Sequence, residues 1–220
     1  MSKTSLALAI ALTLWPAAAS AQLALDALAP AGLDRVEIDV PVEPELGVRL
    51  YFAPAGERVA TLGVEVHLAP SAAEARRLAA AHVAMVSGEL APLAGIGERA
   101  WGEATHVAFV RGDAFVVVRR LRGEEDCRAR ALELDQAIVV APRRAPPAVA
   151  VALPDLGQGA TPVALPPEIV AAHVIATGSA AARRTRSGWV VVRRGGGPWS
   201  VRLVACDAWL RRAEAARDGR

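Results

Sequence analysis

The stretch THVAFVRGDAFVVVRRL, residues 105–121, decides how the rest of the chain is read. Two runs rich in β-branched and aromatic residues, Thr105 to Arg111 and Ala114 to Leu121, flank Gly112-Asp113. That dipeptide takes the left-handed dihedrals of a tight turn easily, so the runs are expected to form a β-hairpin. Counting outward from the turn opposes Phe109 with Val116 and Val107 with Val118. The other face offers Ala108, Val110, Phe115 and Val117. A strand that is apolar on both faces needs cover on both, which places this hairpin in the middle of its sheet.

Upstream, Val36 to Val40 alternates apolar and acidic residues as a half-buried strand does, with Pro41 and Pro44 beyond it. Val48 to Phe52 and Val59 to Leu68 read as two more strands, separated by Pro54-Ala55-Gly56. Residues 22–35 have little periodicity and read as a loosely held arm. Ser71 with Glu74 three residues later forms a capping box. The helix it opens is expected to run to Ser87 and stop at Gly88, with Leu78, His82, Met85 and Val86 near one stripe. Downstream, Glu124-Glu125-Asp126 places acids at the start of a second helix that reaches about Val140. Residues 22–141 are thus expected to be an α+β domain, a mixed or antiparallel sheet carrying two packed helices.

Seven prolines fall within residues 142–167, which read as a linker or an extended crossing segment. Residues 168–220 then form a smaller half. An apolar run, Ile169 to Ile175, precedes an expected second hairpin of Trp189–Arg194 and Trp199–Val204 about Gly195-Gly196-Gly197. Pairing 192 with 200 would collect Trp189, Val191, Trp199, Val201 and Leu203 on one face. A short basic helix, capped by Asp207, is expected to end the chain.

The order strand, helix, GxG turn, hairpin, helix over residues 59–141 resembles uncharacterised exported bacterial α+β modules. In those, a Gly-Leu/Ile-Gly-Asp/Glu-x-Ala turn precedes a strand and an Arg-Gly-Asn/Asp turn joins it to the next. Gly95-Ile96-Gly97-Glu98-Arg99-Ala100 and Arg111-Gly112-Asp113 carry the resemblance here. It implies a compact extracytoplasmic module, usually non-catalytic, and it transfers no active-site residue.

The N-terminus agrees with such an address. Lys3, an apolar core from Leu6 to Trp15, and Ala19-Ser20-Ala21 have the order of a signal peptide over residues 1–21. Cleavage is expected between Ala21 and Gln22, releasing a periplasmic or secreted protein. The apolar core is well short of the ~20 residues of a membrane-spanning helix. In an oxidising compartment Cys127 and Cys206 are expected to pair as a disulfide.

Lys3 is the only lysine, and without it 24 arginines face 23 acids. That balance alone predicts no polyanion partner, and nucleic acid is not the expected ligand. The distribution is less even, because residues 183–220 hold ten arginines against Asp207, Glu214 and Asp218. Trp189, Trp199 and Trp209 are interleaved with them. Arg183, Arg184, Arg186, Arg193, Arg194, Arg202, Arg211, Arg212 and Trp209 form the candidate surface for an anionic glycan, a lipid headgroup or an envelope protein. Two readings stay open: this surface, or a small Trp core covered by arginine stems.

Catalytic patterns are sparse. His67, His82, His106 and His173 are isolated in sequence, with no second ligand at metal-binding spacing. Ser179 lacks the second glycine of a nucleophile elbow. Gly95-Ile96-Gly97 lacks the third glycine and strand-to-helix setting of a dinucleotide loop. Arg111-Gly112-Asp113 spells an adhesion tripeptide that a hairpin turn already explains. No cofactor, metal or catalytic residue is expected. The favoured function is a non-enzymatic envelope or secreted binding module, and the alternative is an extracytoplasmic hydrolase assembled from scattered residues.

Overall fold

A computed structural model describes residues 23–43, 47–86, 90–141 and 148–219. The signal-peptide segment and the helix stop at Gly88 lie outside the described residues. The architecture is mostly antiparallel sheet with two helices. Seven strands form the large sheet: β1 (Leu33–Asp39), β2 (Val48–Pro54), β3 (Leu62–Leu68), β4 (Ala91–Leu93), β5 (Arg99–Glu103), β6 (His106–Arg111) and β7 (Ala114–Arg120). Their order is β1-β2-β3-β7-β6-β5-β4, every neighbour antiparallel.

The 105–121 hairpin has the expected register, with Phe109 opposite Val116 and Val107 opposite Val118. Its two faces go to two different cores. Val107, Phe109, Val116 and Val118 pack with Cys127, Ala131, Leu134 and Ile138 of helix α2 (Cys127–Val140). Ala108, Val110, Phe115 and Val117 pack with Ala75 and Ala79 of helix α1 (Ala72–Met85). One helix therefore covers each face, which is why the hairpin can be apolar throughout.

Ser71 caps α1 by accepting the Glu74 N–H, but the Glu74 carboxylate pairs with Arg77 instead of reaching back. The capping box is half made. The buried stripe also differs from expectation, because Met85 is exposed while alanines at 75 and 79 meet the sheet. Asp126 caps α2 by accepting from Arg128 and Ala129.

Residues 23–35 are not a loose arm. A 3₁₀ turn, Leu25–Leu28, buries both of its leucines in the main core, and the Leu25 N–H donates to the Ala208 carbonyl. Val36 sits at a bulge, since Arg35 opposes Phe52 and Glu37 opposes Tyr51. The extra residue breaks the inward–outward alternation, so Val36 turns outward on an edge strand.

The C-terminal half departs furthest from expectation. It contains β8 (Gly159–Val163), β9 (Ile169–Gly178), β10 (Ala180–Thr185), β11 (Gly188–Arg193), β12 (Trp199–Asp207) and β13 (Arg212–Gly219). They form two three-stranded sheets, β10-β11-β8 and β13-β12-β9. The expected hairpin of 189–194 with 199–204 does not form, because β11 and β12 belong to different sheets. The Gly195-Gly196-Gly197 segment crosses between them. Trp189, Val191, Trp199, Val201 and Leu203 nevertheless share one apolar cluster. They meet across the gap between two facing sheets, and alternation brings them inward whichever strand each pairs with.

The expected C-terminal helix is strand β13. Asp207 caps a turn instead, accepting the N–H groups of Trp209 and Arg211, with Leu210 left-handed at φ 56. Part of the expected linker is also strand, since β8 pairs with β11.

The other face of β12 closes the molecule. Val204, Cys206 and Leu210 enter the core shared by α2 and the large sheet. The Arg212 guanidinium donates to the carbonyls of Pro41 and Val42. Both cysteines lie in this core, yet the expected Cys127–Cys206 bond is not made. The Cys127 thiol donates to the Thr105 carbonyl at 3.2 Å and the Cys206 thiol to its neighbour Asp207 at 3.4 Å. Burial pushes their pKa values up, to about 11 and about 12. A thiolate-selective reagent should find no reactive group in the native protein and two in denaturant. Two groups titrating natively, or none after unfolding, would contradict this arrangement.

Candidate functional site

The two short motifs of residues 95–113 converge on one buried carboxylate. Asp135 of α2 accepts from Arg111 Nε at 2.7 Å and Nη2 at 2.6 Å, and from the Gly97 N–H at 2.9 Å. Glu98 accepts from the Gly112 N–H across the same corner. Both turns are thus ties between the hairpin tip and α2. The arginine of the Arg-Gly-Asp tripeptide is held by the protein itself.

The nine candidate C-terminal residues separate into two groups. Arg211 pairs with Asp207, while Arg202 and Arg212 share Glu214. Arg193 donates to the Leu156 carbonyl and lies 4.7 Å above the Trp199 ring, inside the small core. Trp209 is half-buried and its N–H belongs to the Asp207 turn. Trp189 is packed in the same small core and its Nε1 donates to the Ala172 carbonyl. These positions serve the fold. Arg183, Arg184, Arg186 and Arg194 are exposed and make no ion pair among the described residues.

Those four belong to one ribbon, β10–β11 and its two ends. Arg183 opposes Val190 and Arg184 opposes Trp189, in an antiparallel pair whose edge is β10. Trp189 and Val191 point into the core, so Val190, Val192 and Arg194 point out. Arg183 shares that outer face. The result is a half-exposed valine pair flanked by guanidinium groups.

A second cluster assembles residues that the sequence keeps apart. On the α1 side of the large sheet, Tyr51, Gly63, Arg119, His106 and Glu103 stand in one cross-strand row. The next row includes Arg49, Glu65 and Val117, and the next His67 and Phe115. His82 reaches down from α1. Its Nε2 lies 3.1 Å from His106 Nε2, and both His82 and His67 pack on the Phe115 ring.

Electrostatics there is set by burial and by Arg119. Burial, then the Arg119 charge, lowers the pKa of both His82 and His106, the latter to about 4. Both imidazoles are neutral at pH 7, and one donates to the other. Burial alone would raise the pKa of Glu65. The His67 hydrogen bond at 2.8 Å and its charge, the Gly47 N–H and the Arg49 guanidinium outweigh that and hold it at about 2. An ionised Glu65 requires the proton on His67 Nε2, so the Gly47 N–H is left to Glu65.

Chemically the cluster offers a carboxylate-oriented imidazole, a neutral histidine pair and an exposed guanidinium. Among the described residues no serine or cysteine hydrogen-bonds to a histidine, and no three His, Cys, Asp or Glu side chains are grouped to hold a metal ion. Sequence spacing missed this grouping because each histidine lies on a different element. Carrying the hairpin register to its open end, where His106 opposes Arg119, was the signal available. Compared with known proteins, the chain matches no protein-family model, no curated sequence and no solved structure.

Proposed function

We propose that the protein is an exported, non-enzymatic module that holds an anionic component of the cell envelope against the outer face of its β8–β11–β10 sheet. One observation carries this reading. Within the arginine-rich region, the exposed guanidinium groups without an ion-pair partner among the described residues concentrate on the β10–β11 ribbon. The remaining candidates are committed to carboxylates, carbonyls or a Trp ring. Half-exposed Val190 and Val192 between the cations suit an acidic lipid headgroup layer better than a fully hydrated polymer.

Near an acidic surface each arginine contributes about 1 kcal/mol. Arg184 opposes the core-facing Trp189 and lies on the inner side, so replacing Arg183 and Arg194 together by serine should weaken binding to phosphatidylglycerol vesicles by about 30-fold. The attraction should also fall steeply with salt, since charges are screened beyond ~8 Å at physiological ionic strength. Arg202→Ser, which removes a partner of Glu214, should leave binding unchanged. Vesicle flotation at low and high salt measures both. Equal binding by the double variant, or binding indifferent to salt, would sink the proposal, and capture by purified acidic glycan alone would redirect it to that ligand.

The Glu65–His67 pair favours a second reading, a hydrolase with His67 as general base toward water. Its weakness is that Glu65 already has a structural task, fixing the Gly47 backbone beside the edge of the sheet.

A further inference from the structure

Gly63 lies inside β3, a strand with regular pairing on both sides and no bulge. Glycine weakens a strand interior, and where it occurs it marks a bulge, a tight bend or a close approach by something else. Its backbone is not left-handed, and an added Cβ would meet only Leu121, at an ordinary 3.5 Å. Neither conformation nor packing demands a glycine here. What its absence of side chain creates is a hollow. On the row Tyr51–Gly63–Arg119 the sheet backbone is bare between an aromatic ring and a guanidinium.

The hollow has a volume of about 220 Å³ and lies where the sheet extends beyond α1. Its apolar surfaces are Tyr51, Val117 and Leu121, the last 45% exposed. Its charged rim is Arg49, Glu65 and Arg119. Arg49 is neutralised by Glu65 at 3.3 Å and by Asp39, outside the hollow, at 3.9 Å. Arg119 is exposed and forms no ion pair among the described residues, and His82 and His106 are neutral beside it. The net character is one positive charge at the edge of a small apolar slot.

We propose that this hollow is a binding site for a small organic carboxylate, whose flat apolar body lies on the Gly63 backbone between Tyr51 and Leu121 while its carboxylate pairs with Arg119. A flat body uses the space a side chain at 63 would occupy. A guanidinium presents two parallel N–H donors to a carboxylate, the geometry that gives such pairs their strength. The site is separate from the β8–β11–β10 face, and neither reading depends on the other.

Benzoate is the probe, with benzyl alcohol as its neutral counterpart and inorganic phosphate as an anion without an apolar body. Backbone amide NMR of the full mature chain should show saturable benzoate shifts at Gly63, Val117 and Arg119. Benzyl alcohol and phosphate should each bind about tenfold more weakly or less. Arg119→Gln should weaken benzoate about tenfold at an unchanged melting temperature. Gly63→Val should abolish binding while raising the melting temperature, and Gly63→Ala should do both to a smaller extent. Stability and binding moving in opposite directions is the outcome a purely structural glycine would not give. Absence of site-specific shifts, equal affinity for benzyl alcohol or phosphate, or a lowered melting temperature in Gly63→Ala would overturn the proposal.

Discussion

Replacing Asp135 by alanine is expected to cost about 3–5 kcal/mol of folding stability, read as a large fall in the urea midpoint at constant slope. The side chain is only 5% exposed and receives three hydrogen bonds, two from Arg111 and one from the Gly97 N–H. Removing it leaves the Arg111 charge facing an apolar corner and the Gly97 donor without its acceptor. Relief by rebuilding the turn is blocked. Gly97 is left-handed at φ +58 and a Cβ there would sit 2.5 Å from the Val110 carbonyl oxygen, so the turn has one conformation. Arg111 is 29% exposed and can recover some hydration, which places the effect toward the lower end of the range. The double change Arg111→Met with Asp135→Leu should recover much of the loss, because it removes both charges instead of stranding one. Equal destabilisation by the single and double variants would show that shape, not the ion pair, holds this corner.

That corner shows what kind of information the sequence made legible. The hairpin register was readable because Gly112-Asp113 pins the turn and a period of two does the rest. The GxG and Arg-Gly-Asp turns were visible as motifs, but their shared acceptor was not. Asp135 lies 22 residues beyond the tripeptide on another element, and a carboxylate in an amphipathic helix looks like any solvated acid until its face is known. The C-terminal half failed for a related reason. Two apolar strands joined by three glycines read as a hairpin because local sequence cannot distinguish a tight turn from a crossover. The difference is made at Gly178-Ser179, where the Ser179 N–H donates to the Pro198 carbonyl and the Arg194 N–H to Ser179. These contacts hold both chain crossings at one corner, and Gly178 is left-handed there with the Pro198 carbonyl against it. The terminal strand β13 reads as Ala- and Arg-rich helix by propensity, and pairing along β12 overrides that. Of the candidate surface, composition found the region. It could not sort exposed arginines from paired ones, since Asp155, Asp207 and Glu214 take their partners from distant strands as well as near ones.

Acidification should loosen α1 before the rest of the molecule. The helix rests on the sheet through two alanines and the partly buried Leu78, a thin apolar contact, with His82 against His106 beside it. One imidazole must donate and the other accept, so the bond survives only while at least one of the pair is neutral. The surroundings oppose a second proton, with Arg119 adjoining and His67 contributing the same sign to His82. Glu65 and Glu103 act the other way but do not prevail. A histidine whose folded pKa lies below its unfolded value of about 6.5 binds more protons unfolded, so stability is full above that pH and falls as pH drops toward 4. Because both rings are partly solvated, the loss between pH 7 and 4 should be about 1–2 kcal/mol, less than the shifts alone imply. Glu65 adds a later loss of the same sense. Its folded pKa is about 2, so its stabilisation is present above the ordinary 4.5 and is lost progressively as the pH falls from there toward 2. Urea midpoints measured from pH 7 to pH 3 should therefore fall in two stages, and His106→Phe, which cannot take a proton, should remove most of the first. Hydrogen exchange in the same window should rise in residues 72–85 ahead of α2. Parallel pH profiles for the wild type and His106→Phe, or earlier exchange in α2, would show that the histidine pair carries no such load.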